Sequence, residues 1–445
     1  MTAASDRTAV QPDVSDARLR YMLWVLMFSC ALNFLDRQVI NILAEPIKVE
    51  FRLTDAQLGL LTGLAFAAFH AALSLPLARV ADRGDRSLVL AASTLVWSIA
   101  TVASGLTSSF AQLVAARMAV GAGEAGGVAP AHALIADCAP KRKRARAIAF
   151  YSVGIPLGGL LGMALGGFVL DAFGWRTAFI LAGLPGLVLG PLIALTIRDS
   201  RRDRDGSGSA RPRFRAVAAE MASNRSFVLV TAAGALMMFV NFGQAAFLAS
   251  FFFRVHGPAL GGLASDASHV LGATIGVASL LGLVLGLTKG VGGIVGSLIG
   301  GELTDRVDAD GYRAYAIVPA AVAVIRMPVF AAALLVADPV SAFVLLAVHS
   351  LLAGIGTIGG FAAVQGLVRP EMRATAAAIY AMGVNLVGLG LGPLTVGLFS
   401  DGFALSGLGP ADGLRWSLLV LSLLMLPVAA VGWAASRTIS RDSVS

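Results

Sequence analysis

Asp36, Arg37, Arg117 and Glu124 are ionisable residues set inside long apolar stretches of the chain. An ionisable side chain at the centre of a bilayer costs about 2.5–3.5 kcal/mol on insertion scales, so its presence asks for a use. Desolvation raises the pKa of a carboxyl group, whereas a neighbouring guanidinium lowers it. A carboxylate whose arginine contact changes between two conformations therefore takes up a proton in one and releases it in the other. Arginine cannot carry that proton, because it stays charged. Asp36 and Glu124 are thus the candidate proton-coupling residues, and Arg37 and Arg117 their tuning or anion-binding partners.

Spacing constrains which of these groups meet. Arg117 lies seven residues in from Phe110, roughly 10 Å at 1.5 Å per helical residue. Asp36 is seven residues short of Leu43, a similar depth, so an Asp36–Arg117 pair is expected. Arg37 follows Asp36 by one residue and points elsewhere, about 100° round the helix. Glu124 is seven residues beyond Arg117, two turns on and back to the same face. Lys289 sits about 16 Å into another apolar stretch and is a candidate contact for an anionic head group. Arg326 is also mid-stretch, where a local pair or snorkelling is expected. His70, His132 and His349 read as packing residues. Metal-ligand spacing, nucleotide loops and nucleophile–base pairs are lacking in the sequence, which implies no enzyme, no metal and no cofactor. Gly154 to Gly167 is glycine-rich but wholly apolar in setting, so it reads as helix packing rather than a phosphate cradle.

The elements that must position these groups follow from composition. Of 445 residues, 57% are hydrophobic and 13% charged, with a mean hydropathy of +0.80. Soluble domains carry roughly 25% charged residues, so a cytosolic enzyme, a nucleic-acid binder and a disulfide scaffold are excluded. A bilayer-crossing helix needs about 20 apolar residues. Twelve stretches qualify: 21–43, 56–80, 87–108, 110–136, 146–170, 177–197, 227–253, 278–303, 314–337, 340–367, 374–400 and 414–436. Thr54 and Gln57 have the spacing of a capping box at the start of the second. With the N-terminus cytoplasmic, 25 of the 34 Lys and Arg fall on that side and five on the other. That asymmetry places both termini inside and accounts for the basic balance without nucleic acid. The expected organisation is an N-tail 1–20, a six-helix bundle 21–197, a polar linker 198–226, a second bundle 227–437 and a C-tail 438–445.

The two halves repeat each other. Leu58-Gly59-Leu60-x-x-Gly63-Leu64 matches Leu281-Gly282-Leu283-x-x-Gly286-Leu287, and both lead at the same distance into Asp82-Arg83 and Asp305-Arg306. Gly121-x-Gly123-x-x-Gly126-Gly127 recurs as Gly354-x-Gly356-x-x-Gly359-Gly360, and Asn33-Phe34 as Asn241-Phe242. The second copy keeps the four glycines but has Ser350 in place of Arg117 and Thr357 in place of Glu124. The glycines pack; the charges serve something else.

These motifs resemble the major facilitator superfamily. Gly301-x-x-x-Asp305-Arg306 matches its loop signature intact, and Ala78-x-x-x-Asp82-Arg83-Gly84-Asp85-Arg86 matches with alanine first and a shortened tail. Arg117-x-x-x-Gly121-x-Gly123 matches the fourth-span pattern. Asn33-Phe34-Leu35-Asp36-Arg37 together with Gly121-Ala122-Gly123-Glu124-Ala125 is similar to the Spinster-type subfamily. The resemblance implies an all-α membrane protein of twelve helices in two pseudo-symmetric bundles. It also implies proton-linked alternating-access transport of lysolipids or sphingoid lipids, in an inner or plasma membrane. Asp82, Arg83, Arg86, Asp305 and Arg306 are then expected to form a cytoplasmic gate, on a bistable-element argument. Partners would be the substrate, protons and membrane lipids, the protein acting as a monomer. A carrier of small organic anions or drugs is the alternative, and a non-transporting sensor a third reading.

Overall fold

Away from water a chain segment must satisfy its own N–H and C=O groups, and a long apolar run does so as a helix. The computed structural model describes residues 16–199, 214–307, 312–357, 359–369 and 372–442, and its regular elements are all helical. Most of the expected N-tail, most of the linker and the last residues of the C-tail lie outside the described residues. The helices in order are α1 (Asp16–Phe51), α2 (Asp55–Arg83), α3 (Arg86–Gly105), α4 (Phe110–Glu124) and α5 (Val128–Cys138). Then come α6 (Arg144–Thr196), α7 (Phe214–Ser223), α8 (Arg225–Leu271), α9 (Val277–Val307), α10 (Ala314–Leu335) and α11 (Pro339–Gly356). The last are α12 (Gly359–Gly366), α13 (Arg373–Asn385), α14 (Gly392–Phe403), α15 (Gly409–Leu423) and α16 (Met425–Asp442). Among the described residues nine continuous helical stretches are long and apolar enough to cross a membrane.

Local chemistry explains the boundaries. Thr54 caps α2 in the expected capping box, its side chain accepting from the Gln57 N–H while Gln57 returns to the Thr54 N–H. Asp85 starts α3 by accepting from the Ser87 and Leu88 N–H groups. Within the 53-residue α6 the chain turns at Gly174, whose φ of 81° is open to a residue without a side chain.

Two departures from the sequence reading matter. The expected fourth and tenth apolar stretches are broken: α4 stops at Glu124 and α5 begins at Val128, and α11 stops at Gly356. Helix α8 runs for 47 residues, about 70 Å at 1.5 Å per residue, well past its apolar stretch. Phe252, His256, Leu260 and Ala264 are all buried and recur every fourth residue, a helical stripe that hydropathy does not detect.

Packing is set by glycine. A Cβ at Gly158 would lie 2.1 Å from the Ala31 carbonyl oxygen, so α6 and α1 touch backbone to backbone. Such approach supplies the van der Waals contact that associates helices in lipid, where no hydrophobic force does. A Cβ at Gly261, on the exposed face of α8, would meet nothing. We expect Gly158→Val to destabilise the fold by at least about 1–3 kcal/mol through overpacking. Gly261→Ala should leave stability unchanged or slightly raised. Thermal unfolding of the purified protein in detergent checks both, and equal melting temperatures would refute the backbone contact.

Candidate functional site

Two guanidinium–carboxylate pairs lie at depth in the first half of the chain. Arg117, on α4, donates from Nη1 to Asp36 Oδ2 at 3.1 Å, and each residue is 1% exposed. Thr101 on α3 donates its hydroxyl to the other carboxylate oxygen at 2.8 Å. Arg37, next to Asp36 on α1 but facing another way, donates from Nε to Glu124 Oε2 at 2.5 Å. The Glu124 side chain is fully buried, while that of Arg37 keeps 18% of its surface. Phe66 lies between the pairs, its ring centroid 4.9 Å from the Arg37 guanidinium carbon and 5.7 Å from that of Arg117.

Glu124 ends α4 where the glycine motif brings it against α3: a Cβ at Gly123 would lie 2.6 Å from the Trp97 backbone nitrogen. Its second oxygen, Oε1, is buried with no hydrogen-bond partner. The carboxylate thus has one oxygen on a cation and the other against no donor.

Lys289 reaches from α9 to α1, its Nζ 3.0 Å from Gln38 Oε1. It is exposed although mid-helix, and adds a cation between the halves one residue beyond Arg37.

The expected gate residues stand apart from these. Arg86 pairs with Asp137 of the first half, and its N–H donates to Asp199, at the start of the expected linker, at 3.1 Å. Arg306 pairs with Glu302 one turn back on the surface of α9, and Asp305 is exposed beside it. Asp82 and Arg83 close α2, exposed.

What ties the halves together is a cluster that the sequence reading did not single out. Arg254 on α8 donates to both oxygens of Glu45 on α1 and to both of Asp55 at the start of α2, all at 2.8 Å. Lys48 adds 2.5 Å to Asp55, and Ser400 on α14 donates to the same carboxylate at 2.6 Å. Asp401 accepts from the Asp55 and Ala56 N–H groups at 2.9 and 2.8 Å, so α14 caps α2. Below this cluster two π-helical turns, Leu60–Leu64 and Leu386–Leu391, face each other, and a Cβ at Gly63 would lie 2.7 Å from the Leu389 carbonyl. Single π-helical turns of this kind concentrate at functional positions. A second seam, between the antiparallel α6 and α9, is tight from Gly167 against Ala278 to Gly286 against Leu160, loosens at Gly290, and at Gly293 a Cβ would meet nothing. The halves are therefore joined at the Asp55 end and unjoined near Gly293. In the sequence Lys48 and Arg254 register only as outside charges; their common partner Asp55 is close to Lys48 but 199 residues from Arg254.

The Major Facilitator Superfamily model matches residues 26–289. An MFS-type efflux pump of Mycolicibacterium smegmatis is 29% identical over 99% of this chain and 99% of its own. The sphingosine-1-phosphate transporter SPNS2 of Danio rerio is 28% identical over 49% of this chain and 44% of its own. Among solved structures, a bacterial homolog to the human lysosomal transporter Spinster, inward-facing and occupied, shares 29% identity with a TM-score of 0.81. That alignment covers 97% of this chain and 99% of the other.

Removing one partner of a buried ion pair costs about 3–5 kcal/mol, because the other charge is left uncompensated. Arg254→Gln should accordingly loosen the joined end. We expect a cysteine at Leu53, introduced after replacing Cys30 and Cys138 by serine, to react several-fold faster with an impermeant maleimide in that background. An unchanged rate would mean that the cluster holds nothing shut.

Proposed function

The chain belongs to the Major Facilitator Superfamily, and from that membership we propose that it is a proton-coupled secondary carrier of lysophospholipid or sphingoid-type amphiphiles. It is a multi-pass membrane protein resembling the Spinster subfamily. In this reading twelve spans form two six-helix bundles, 21–197 and 227–437, joined by a cytoplasmic linker, with both termini inside. The Arg254–Asp55–Glu45 cluster is then the closed outer end. The unjoined ends of α6 and α9 face the cytoplasm, so the conformation is inward-facing. Asp82, Arg83, Arg86, Asp305 and Arg306 belong to the opposite gate, which is open here.

The observation that carries the coupling is the Arg37–Glu124 contact. One partner is fully buried, the other borders the space between the halves, and one carboxylate oxygen has no donor. Protonation of Glu124 neutralises it and frees Arg37 for an anionic head group; substrate leaving returns Arg37 to the carboxylate and expels the proton. Asp36, held by Arg117 and Thr101, is the second exchanging group. Lys289, across from Gln38, is a further contact for the head group. The subfamily likeness supports an amphiphilic cargo. The efflux pump that matches end to end favours a second reading, in which the cargo is a drug or small organic anion.

Asp36→Asn and Glu124→Gln keep volume and polarity but exchange no proton. Both should fold, and both should lose transport driven by a pH gradient in proteoliposomes. Proton-driven rates equal to wild type would remove these residues from the mechanism. Chain length separates the two cargo readings. Each added methylene is worth about 0.8 kcal/mol, nearly fourfold in affinity, so lysolipid binding should tighten with each added pair of carbons until the cavity is filled. Arg37→Ala should weaken binding while keeping that slope. A flat response, with saturable proton-linked uptake of a small carboxylate, would establish the second reading instead.

A further inference from the structure

Arg326, on α10, does not snorkel: it is 4% exposed and lies inside the second half of the chain. Its partners are all neutral. Nε lies 3.1 Å and Nη2 2.9 Å from His349 Nε2, and Nη1 donates to Asn241 Oδ1 at 2.6 Å. The remaining contacts are weak, Gln244 Oε1 at 3.5 Å and the Met237 sulfur at 3.8 Å. Among the described residues no carboxylate pairs with it, whereas Arg37 and Arg117 each have one.

The repeat shows what has been exchanged. Matching Asn33 with Asn241 puts Gln244 where the first half has Asp36. Gly123 packs on Trp97 and its counterpart Gly356 on Val322; four residues further on stand Thr101 and Arg326. The first half thus has a carboxylate held by a hydroxyl and a guanidinium, and the second has an amide facing a guanidinium. The second half has lost both members of the Asp36–Arg117 pair, with Gln244 and Ser350 in their places, and has gained a cation where the first half has Thr101. Gln244 is itself buried, and its Nε2 finds no acceptor. One incoming anionic oxygen would satisfy that amide and displace the two weakest contacts of Arg326. Beside the guanidinium, Met237 forms the wall of a mainly apolar cavity that extends to Met238, Tyr315, Thr357 and Tyr380. Methionine adapts its shape readily, so this wall can admit a chain.

We propose that Arg326 and Gln244 form a second anion-binding position, which takes the oxyanion of a single-chain amphiphile whose apolar chain enters the cavity at Met237. This rests on the amphiphile reading of the protein for its ligand class, and it adds a site in the half that lacks the coupling carboxylates. A buried cation costs free energy until an opposite charge arrives, so the site is built to select for charge.

The test is equilibrium binding to the full-length protein in nanodiscs, with no proton gradient. The probes are oleoyl lysophosphatidate, uncharged monooleoylglycerol and inorganic phosphate. Wild type should prefer the acidic lipid over the neutral one at least tenfold. Arg326→Gln should abolish most of that preference with monooleoylglycerol binding unchanged. Gln244→Glu restores the carboxylate register of Asp36, neutralises Arg326 from within, and should have the same effect in a folded protein. An undiminished preference in both variants, or equal losses for both lipids, would overturn the site. Phosphate binding with the same dependence on Arg326 would keep the oxyanion contact and overturn the role of the chain. Because binding is read without a gradient, a protein that fails to transport but shows the Arg326-dependent preference refutes the carrier reading and leaves this site standing.

Discussion

The structure depends on one constraint: an ion in hydrocarbon must have a counter-ion. Asp36 and Glu124 are tolerable because Arg117 and Arg37 reach them from other helices, and those contacts fix how α1 and α4 face each other. Low dielectric makes each pair strong and each broken pair costly, so the arrangement has few resting states rather than a continuum. In the proposed function a proton acts on such a system by neutralising a carboxylate and so freeing its arginine for an anionic ligand. The same logic extends to Arg326, where the second half leaves its cation among neutral groups.

The two kinds of contact between the halves divide the labour. Glycine seams, as at Gly63 against Leu389 and along α6 and α9, give close but chemically neutral approach that two helices can leave and re-form. The Glu45–Lys48–Asp55–Arg254–Asp401 cluster supplies the specificity, because its hydrogen bonds are made in one relative placement of the halves. Its position at one end leaves the other free to open, the geometry that a rocking motion about a central site needs.

The breaks in the fourth and tenth apolar stretches have the same origin. Glycines let α4 approach α3 at Trp97, and the helix stops at Glu124, the residue that meets Arg37. In the second half α11 stops at Gly356, immediately before Thr357, the counterpart of Glu124. The repeat preserves the backbone event and changes the chemistry at it.

Much was legible in the sequence. Hydropathy marked where helices run, though not the breaks at Glu124 and Gly356 or the full length of α8. The repeated glycines marked close packing, and the depth of Asp36 and Arg117 placed them at one level, because rise per residue is fixed along a helix. Residue spacing could also tell that Arg37 faces away from Asp36. Which carboxylate it faces instead was decided by tertiary structure, since Arg37 and Glu124 are 87 residues apart and their distance depends on how α1 and α4 are rotated. The Arg254 cluster escaped for that reason: its members are outside the apolar stretches, where charge is ordinary, and only the docking of two halves makes them exceptional. Arg326 was visible as a cation within an apolar stretch, with a local pair or snorkelling the two expectations. That it turns inward to His349 and Asn241 was decided by tertiary structure, because a helix's own sequence states how deep a residue lies and not which side of the helix its neighbours occupy.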